Sequence, residues 1–284
     1  MNDLKSNYQY YYDYDDRRTY LYYDKGNPSE DFFDIEIGED SPIFGVHNAK
    51  DQIYENLCLK YGGVHGIWLK DSVNTTLRGL EFGWIGGSHQ LNYPVANTRY
   101  GNAFEAWDNC EDNLVEKCYV YQIYDAALTF QGFNVDTYKN ISYIDNVLDY
   151  NVYAIEYWAD NCVMTDILFQ GNFFRFTGYG WGTQRPDFGV ICAVNSWEYD
   201  NKTSNFLLKD NYFDTSILKL FKYVSNAGAQ HLPKLEGNTY AQTTNSAYGG
   251  QFQRDPVHFT RNFEKNMKAR GEINPVVIHN KNFG

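Results

Sequence analysis

Seven short segments of the chain can be laid over one another: Asn56-Leu57-Cys58, Leu80-Glu81-Phe82, Cys118-Tyr119-Val120, Asn146-Val147-Leu148, Asn172-Phe173-Phe174, Asn211-Tyr212-Phe213 and Asn238-Thr239-Tyr240. Their first positions are separated by 24, 38, 28, 26, 39 and 27 residues. A period in this range marks a chain that stacks one supersecondary unit per repeat. The two long intervals contain insertions, at 85–101 and 177–188. Five of the seven leading positions are Asn. In stacked coils, equivalent residues lie about 4.8 Å apart. A column of Asn then satisfies turn backbone groups and passes amide hydrogen bonds from coil to coil.

A second strand follows in most repeats: 66–69, 103–107, 127–131, 154–158, 190–194 and 217–220. Side chains alternate between the faces of a strand. Trp68, Phe104, Leu128, Ile155, Ile191 and Leu218 therefore read as one inward apolar column. Their neighbours point outward, with Glu105, Thr129 and Glu156 in one column and Trp107, Gln131 and Trp158 in the next. The pattern predicts an all-β, single-domain parallel β-helix over 41–250. Residues 1–40 read as an N-terminal β cap, with a Tyr-rich hairpin at 8–23 and a strand at 33–37. Residues 251–284 read as a C-terminal tail or cap, weakly helical over 259–270 and broken at Asn274-Pro275.

Composition narrows the function classes. With 24 basic against 36 acidic side chains, the net charge is −12, which argues against a nucleic-acid backbone as partner. No apolar run reaches the roughly 18 residues of a membrane span. The first residues show no signal peptide. Five widely spaced cysteines form no CxxC pair and read as buried free thiols. Nucleotide loops, HExxH and GxSxG are absent from the sequence.

Ser41 to Gln251, about three quarters of the chain, resembles the right-handed parallel β-helix repeat proteins of pectin-lyase-like fold. The likeness is carried by Asn56–Tyr61, Glu81–Ser88, Thr98–Ala103, Tyr121–Ala126 and Gly237–Tyr240. It lies nearest a bacterial group often attached to secreted carbohydrate-active proteins. The resemblance implies the right-handed coil, a poly- or oligosaccharide partner and a secreted or cell-surface setting. Members usually carry a signal peptide and further coils upstream. This chain shows neither, which leaves a cytoplasmic setting open and suggests a truncated chain.

The outer columns hold the candidate chemistry. Glu105 and Glu156 stand two strand steps apart, roughly 9–10 Å. Inverting glycosidases hold their carboxyls about 6.5–9.5 Å apart and retaining ones about 5–5.5 Å. Asp125 opens the intervening strand and completes a catalytic set of Glu105, Asp125 and Glu156. Trp107 and Trp158 offer rings for stacking sugars, with Thr129 and Gln131 between them. The insertions contribute Trp84, His89, Gln90 and Arg99 on one side and Tyr179, Arg185 and Asp187 on the other, and His65 follows a Gly-Gly turn at the same edge. Arg99 either binds a substrate carboxylate or pairs with Glu105. Neither a metal set nor a cofactor motif is legible, and a calcium ion has no Asp cluster to hold it. Four readings stay open: glycoside hydrolase, polysaccharide lyase, non-catalytic carbohydrate-binding or adhesion module, and a purely structural solenoid carried beside a catalytic domain. The negative charge favours neutral glycans. The sugar, the linkage and the oligomeric state are not legible.

Overall fold

The computed structural model describes residues 4–13, 15–90, 98–133, 137–160, 162–184, 191–197, 201–217, 219–222, 231–241, 247–250, 256–258, 263–269 and 271–278. The chain divides into two compact units, Met1–Ile37 and Gly38–Gly284. The first holds an antiparallel hairpin, Tyr10–Asp13 against Arg18–Leu21, with Tyr8, Tyr23 and Phe32 in mutual ring contact. The expected strand at 33–37 does not form: these residues pair with no ladder, and Phe33 and Ile37 are exposed.

The second unit is nearly all β and is built on two parallel sheets. Eight strands pair in chain order: Cys58–Lys60, Glu81–Ile85, Tyr119–Ile123, Val147–Asp149, Phe173–Thr177, Tyr212–Ser216, Thr239–Ala241 and Val276–Ile278. The twelve-stranded sheet curls about two long strands, Ile67–Arg78 and Phe104–Glu116. The first half of Phe104–Glu116 pairs with Ala126–Gly132 and its second half with Tyr138–Ile144, with a register shift between Trp107 and Cys110. Asp71 and Asp108 make the bends with φ of 48° and 57°. Asp and Asn tolerate this left-handed backbone better than other side chains do.

The interior is aromatic. Tyr143 and Phe169 stack at 4.2 Å, Phe130 and Tyr157 at 5.4 Å, and Phe206 closes edge-on against Phe130. All five are fully buried, each contributing about 2–3 kcal/mol by removal from water. Four of the five cysteines are buried free thiols, and Cys58 is exposed.

Beside this core runs an Asn ladder. The backbone and side-chain amides of Asn146 donate to Asn172 Oδ1, those of Asn172 to Asn211 Oδ1, and those of Asn211 to Asn238 Oδ1, all at 3.0–3.1 Å. Each side-chain amide also reaches a carbonyl near the end of an earlier strand, as Asn172 does to Tyr143 at 2.9 Å. Asn238 ends the ladder on Glu272 Oε1 at 3.1 Å. Beside it, the helix Phe263–Ala269 buries Phe263 against Tyr240.

The register departs from the sequence alignment in three places. Cys58, not Leu57, pairs with Glu81, so Asn56 lies outside the ladder, exposed in a left-handed turn with φ of 55°. Ile67, not Trp68, stands beside Phe104, and Trp68 pairs outward with Glu105. Val194 takes the inward place expected of Ile191, which packs instead with Ala126, Val152, Tyr153 and Cys192. Leu218 lies outside the described residues. Alternation survives within each strand, while turn length decides which neighbour it meets.

Candidate functional site

The first half of the curled sheet stacks two outward columns. Gly45, Trp68, Glu105, Thr129, Glu156 and Asn195 form one. His47, Lys70, Trp107, Gln131 and Trp158 form the other. Outward does not mean exposed here: Glu105 is 2% accessible, Glu156 4% and Trp158 7%. Phe133, just beyond its strand, lies against both Trp107 and Trp158, at 5.8 and 4.8 Å between ring centroids. The two Trp rings meet edge-on at 5.7 Å.

Glu105 sits in a built polar nest. Asn102 Nδ2 donates to its Oε2 at 2.6 Å, and the same oxygen lies 3.0 Å from His65 Nδ1. Asn102 is the hub: its backbone amide donates to His65 Nδ1 at 3.1 Å, and its Oδ1 accepts from the Ala126 amide at 2.9 Å. Burial drives the two titratable partners in opposite directions. It pushes Glu105 up to about 8, against hydrogen bonds from Asn102 and Gln131 that favour the ionised form, with the charges of Asp125 and Asp108 adding to the rise. It pushes His65 down to about 3, against the charges of Asp125 and Asp40. A neutral imidazole whose Nδ1 receives the Asn102 amide is an acceptor there. With the carboxyl pushed up and the imidazole pushed down, burial favours the uncharged form of both groups.

Tyr100 meets His65 edge-on at 5.4 Å, and its hydroxyl lies 3.5 Å from Asp40 Oδ1. Lys70 Nζ is 3.2 Å from Asp108 Oδ2. Two strands from Glu105, Asn195 Nδ2 donates to Glu156 Oε2 at 3.1 Å. Three polar atoms on these columns are buried without a hydrogen-bond partner: Trp68 Nε1, Gln131 Oε1 and Asn195 Oδ1.

The structure thus brings His65, Glu105, Thr129, Gln131, Glu156, Trp107 and Trp158 onto one face, with half-buried Asp125 at its edge. His89 and Arg99 pair across a small antiparallel ribbon in the first insertion, with Gln90 following it. Trp84 and Tyr179 do not join this face. Trp84 is an exposed residue of the eight-stranded sheet, and Tyr179 follows Phe176 from the same sheet. Arg185 and Asp187 lie outside the described residues. The sequence reading missed Asn102, Trp68 and Asn195. Asn102 carries a visible signal, a lone Asn two residues before the Phe104 strand. Among the described residues, no three His, Cys, Asp or Glu side chains are grouped as metal ligands. No family model, curated protein or solved structure matches this chain.

Proposed function

We propose that this chain is a right-handed parallel β-helix of pectin-lyase-like type that binds and hydrolyses an oligo- or polysaccharide, with Glu105 as the general acid. The observation that carries the reading is the Glu105–His65 pair. A buried carboxyl held near 8 keeps its proton at neutral pH, the state in which a glycosidase acid works. The parallel pairing in chain order and the Asn ladder support the coil.

In the proposed reaction, Glu105 gives its proton to the departing glycosidic oxygen. Glu156 takes a proton from the water that attacks the anomeric carbon. Their two-strand separation, roughly 9–10 Å between backbones, fits the wider carboxyl spacing of inversion. Asp125 acts through charge, keeping the proton on Glu105. Asn102 and His65 are positioning residues. Trp107 and Phe133 supply partly exposed rings beside the acids.

A lyase draws less support. His65 is pushed down to about 3 and its Nδ1 is already engaged, so it is a poor base for abstracting a substrate proton. A non-catalytic carbohydrate-binding module is the second reading, favoured by the near-complete burial of both acids. The test is reducing-end release from neutral and acidic glycans, with absorbance near 235 nm followed for unsaturated products. Hydrolysis by wild type that falls at least 100-fold in Glu105→Gln, with kcat rather than KM changed, supports the reading. Turnover unchanged in Glu105→Gln removes the acid assignment, and a gain in absorbance replaces hydrolase with lyase.

A further inference from the structure

A second surface lies on the eight-stranded sheet. Six of its eight strands carry, near their ends, a residue in the left-handed conformation. Following the register, that column reads Tyr61, Trp84, Gln122, Tyr150, Phe176 and Thr215, with φ between 51° and 61°. Among the described residues, a short left-handed column runs Asn48, Asp71 and Asp108, and two long ones are made almost wholly of Asn, Asp and Gly. One runs Asn56, Gly79, Lys117, Asp145, Gly171, Asp210, Gly237, and the other Asp51, Asn74, Asp112, Asn140, Asp166, Asn205. Those residue types accept left-handed backbone readily, whereas bulky aromatics do so rarely and under strain. Four aromatics in the column from Tyr61 to Thr215 are therefore a costly choice at positions where Asn or Gly folds more easily. Strained backbone of this kind gathers at functional sites.

The rings are also open to solvent: Tyr61 is 58% accessible, Trp84 42%, Tyr150 38%, and Tyr179, edge-on to Phe176, 46%. Tyr150 and Phe176 stack at 4.9 Å. Gln122 interrupts the ladder and holds Trp181, whose Nε1 donates to the Gln122 carbonyl at 2.7 Å. The cations beside the strip are engaged by carboxylates. Lys60 pairs with Glu81 at 2.6 Å, and Arg175 is bound through two nitrogens to Asp149. On a protein of net charge −12, this strip presents apolar rings beside ion-paired side chains, with Asp214 next to Arg175 in the same column.

We infer that the aromatic corner Tyr61–Trp84–Tyr150–Phe176–Tyr179 is a docking strip for an extended, uncharged polysaccharide, separate from the face that holds Glu105. Rings spaced by the strand step of about 4.8 Å offer repeated contact to a ligand that itself repeats. Sugar rings have the apolar faces and polar edges that stack on aromatics. Lys60 and Arg175 are already engaged by carboxylates, so they do not draw in an anionic glycan on a chain of net charge −12.

The experiment is native affinity electrophoresis in gels cast with hydroxyethyl cellulose, galactomannan, arabinoxylan or polygalacturonate. Wild type, Trp84→Asn/Tyr150→Asn and Glu105→Gln are compared. Asn suits the left-handed backbone, so the double variant is expected to fold, with a melting temperature equal to or a few degrees above wild type. Retardation of wild type in at least one neutral gel, lost in the folded double variant and kept in Glu105→Gln, supports the strip. Equal retardation of wild type and the double variant overturns it. So does retardation in polygalacturonate alone, or in no gel. Loss in Glu105→Gln alone places binding on the other face. If sedimentation shows that wild type self-associates and the double variant does not, with gel mobility unchanged by glycan, the strip is a contact between copies and the inference is wrong. Because turnover is not the readout, failure here leaves the hydrolase reading standing, and the reverse also holds.

Discussion

Replacing Glu105 with Gln removes one ionisable group and keeps its shape. An ordinary Glu ionises near 4.5, and burial holds this one up to about 8. At 1.36 kcal/mol per pH unit, the displacement is worth roughly 5 kcal/mol. In the unfolded chain the carboxyl is ionised above about 4.5. In the folded chain it stays protonated until about pH 8. Folding between these limits takes up a proton, so this group's contribution to stability falls as pH rises from about 4.5 to about 8 and is flat beyond. His65 works the other way: its pKa falls from 6.5 to about 3, so its contribution declines as pH drops below 6.5. That contribution is common to both proteins and cancels in their difference. The amide of the Glu105→Gln variant keeps an acceptor for Asn102, and its rearranged contacts carry a pH-independent cost of about 1 kcal/mol. Urea unfolding of both proteins at pH 5 and pH 9 measures the difference. The variant is expected to be about 1 kcal/mol less stable near pH 5 and several kcal/mol more stable at pH 9. An offset that is the same at both pH values refutes the reasoning, because it means that Glu105 ionises as a solvent-exposed carboxyl does.

Two further outcomes follow from the ladder and its end. Asn172→Ala leaves the Asn146 amide and the Tyr143 carbonyl buried without their partners, an expected loss of roughly 3–5 kcal/mol by denaturant unfolding, whereas loss under 1 kcal/mol means the ladder is not what closes these turns. Glu272 is raised from 4.5 to about 7 by burial, against hydrogen bonds from Asn238 and Tyr240. Its contribution therefore falls as pH climbs from about 4.5 to about 7, and Glu272→Gln is expected to flatten that decline by roughly 3 kcal/mol. Stability profiles of equal slope for wild type and Glu272→Gln speak against that burial.

The repeat spacing of the parallel strands, the Asn positions 146, 172, 211 and 238, and the outward columns through Glu105 and Trp107 are legible in the chain because they are local. Alternation is a property of one strand, and a repeated Asn marks a repeated turn. Register between strands is not local. Placing Trp68 in the interior miscounts the turn before it by one residue, and a one-residue slip moves a side chain to the opposite face.

Burial is less local still. Nothing in Ala103-Phe104-Glu105-Ala106-Trp107 says that Phe133, just past the strand Ala126–Gly132, will lie against Trp107. Nor does it say that Asn102 will join His65 and Ala126 around the same carboxyl. Trp84 and Tyr179 lie near insertions, and nearness in sequence groups them with the acids. The structure puts them on the other sheet, whose strands alternate along the chain with those of the curled sheet. The sequence by itself determined which residues repeat and which way they alternate. Tertiary structure decided which of those outward side chains meet water and which are buried away from it, because desolvation depends on atoms contributed by distant parts of the chain.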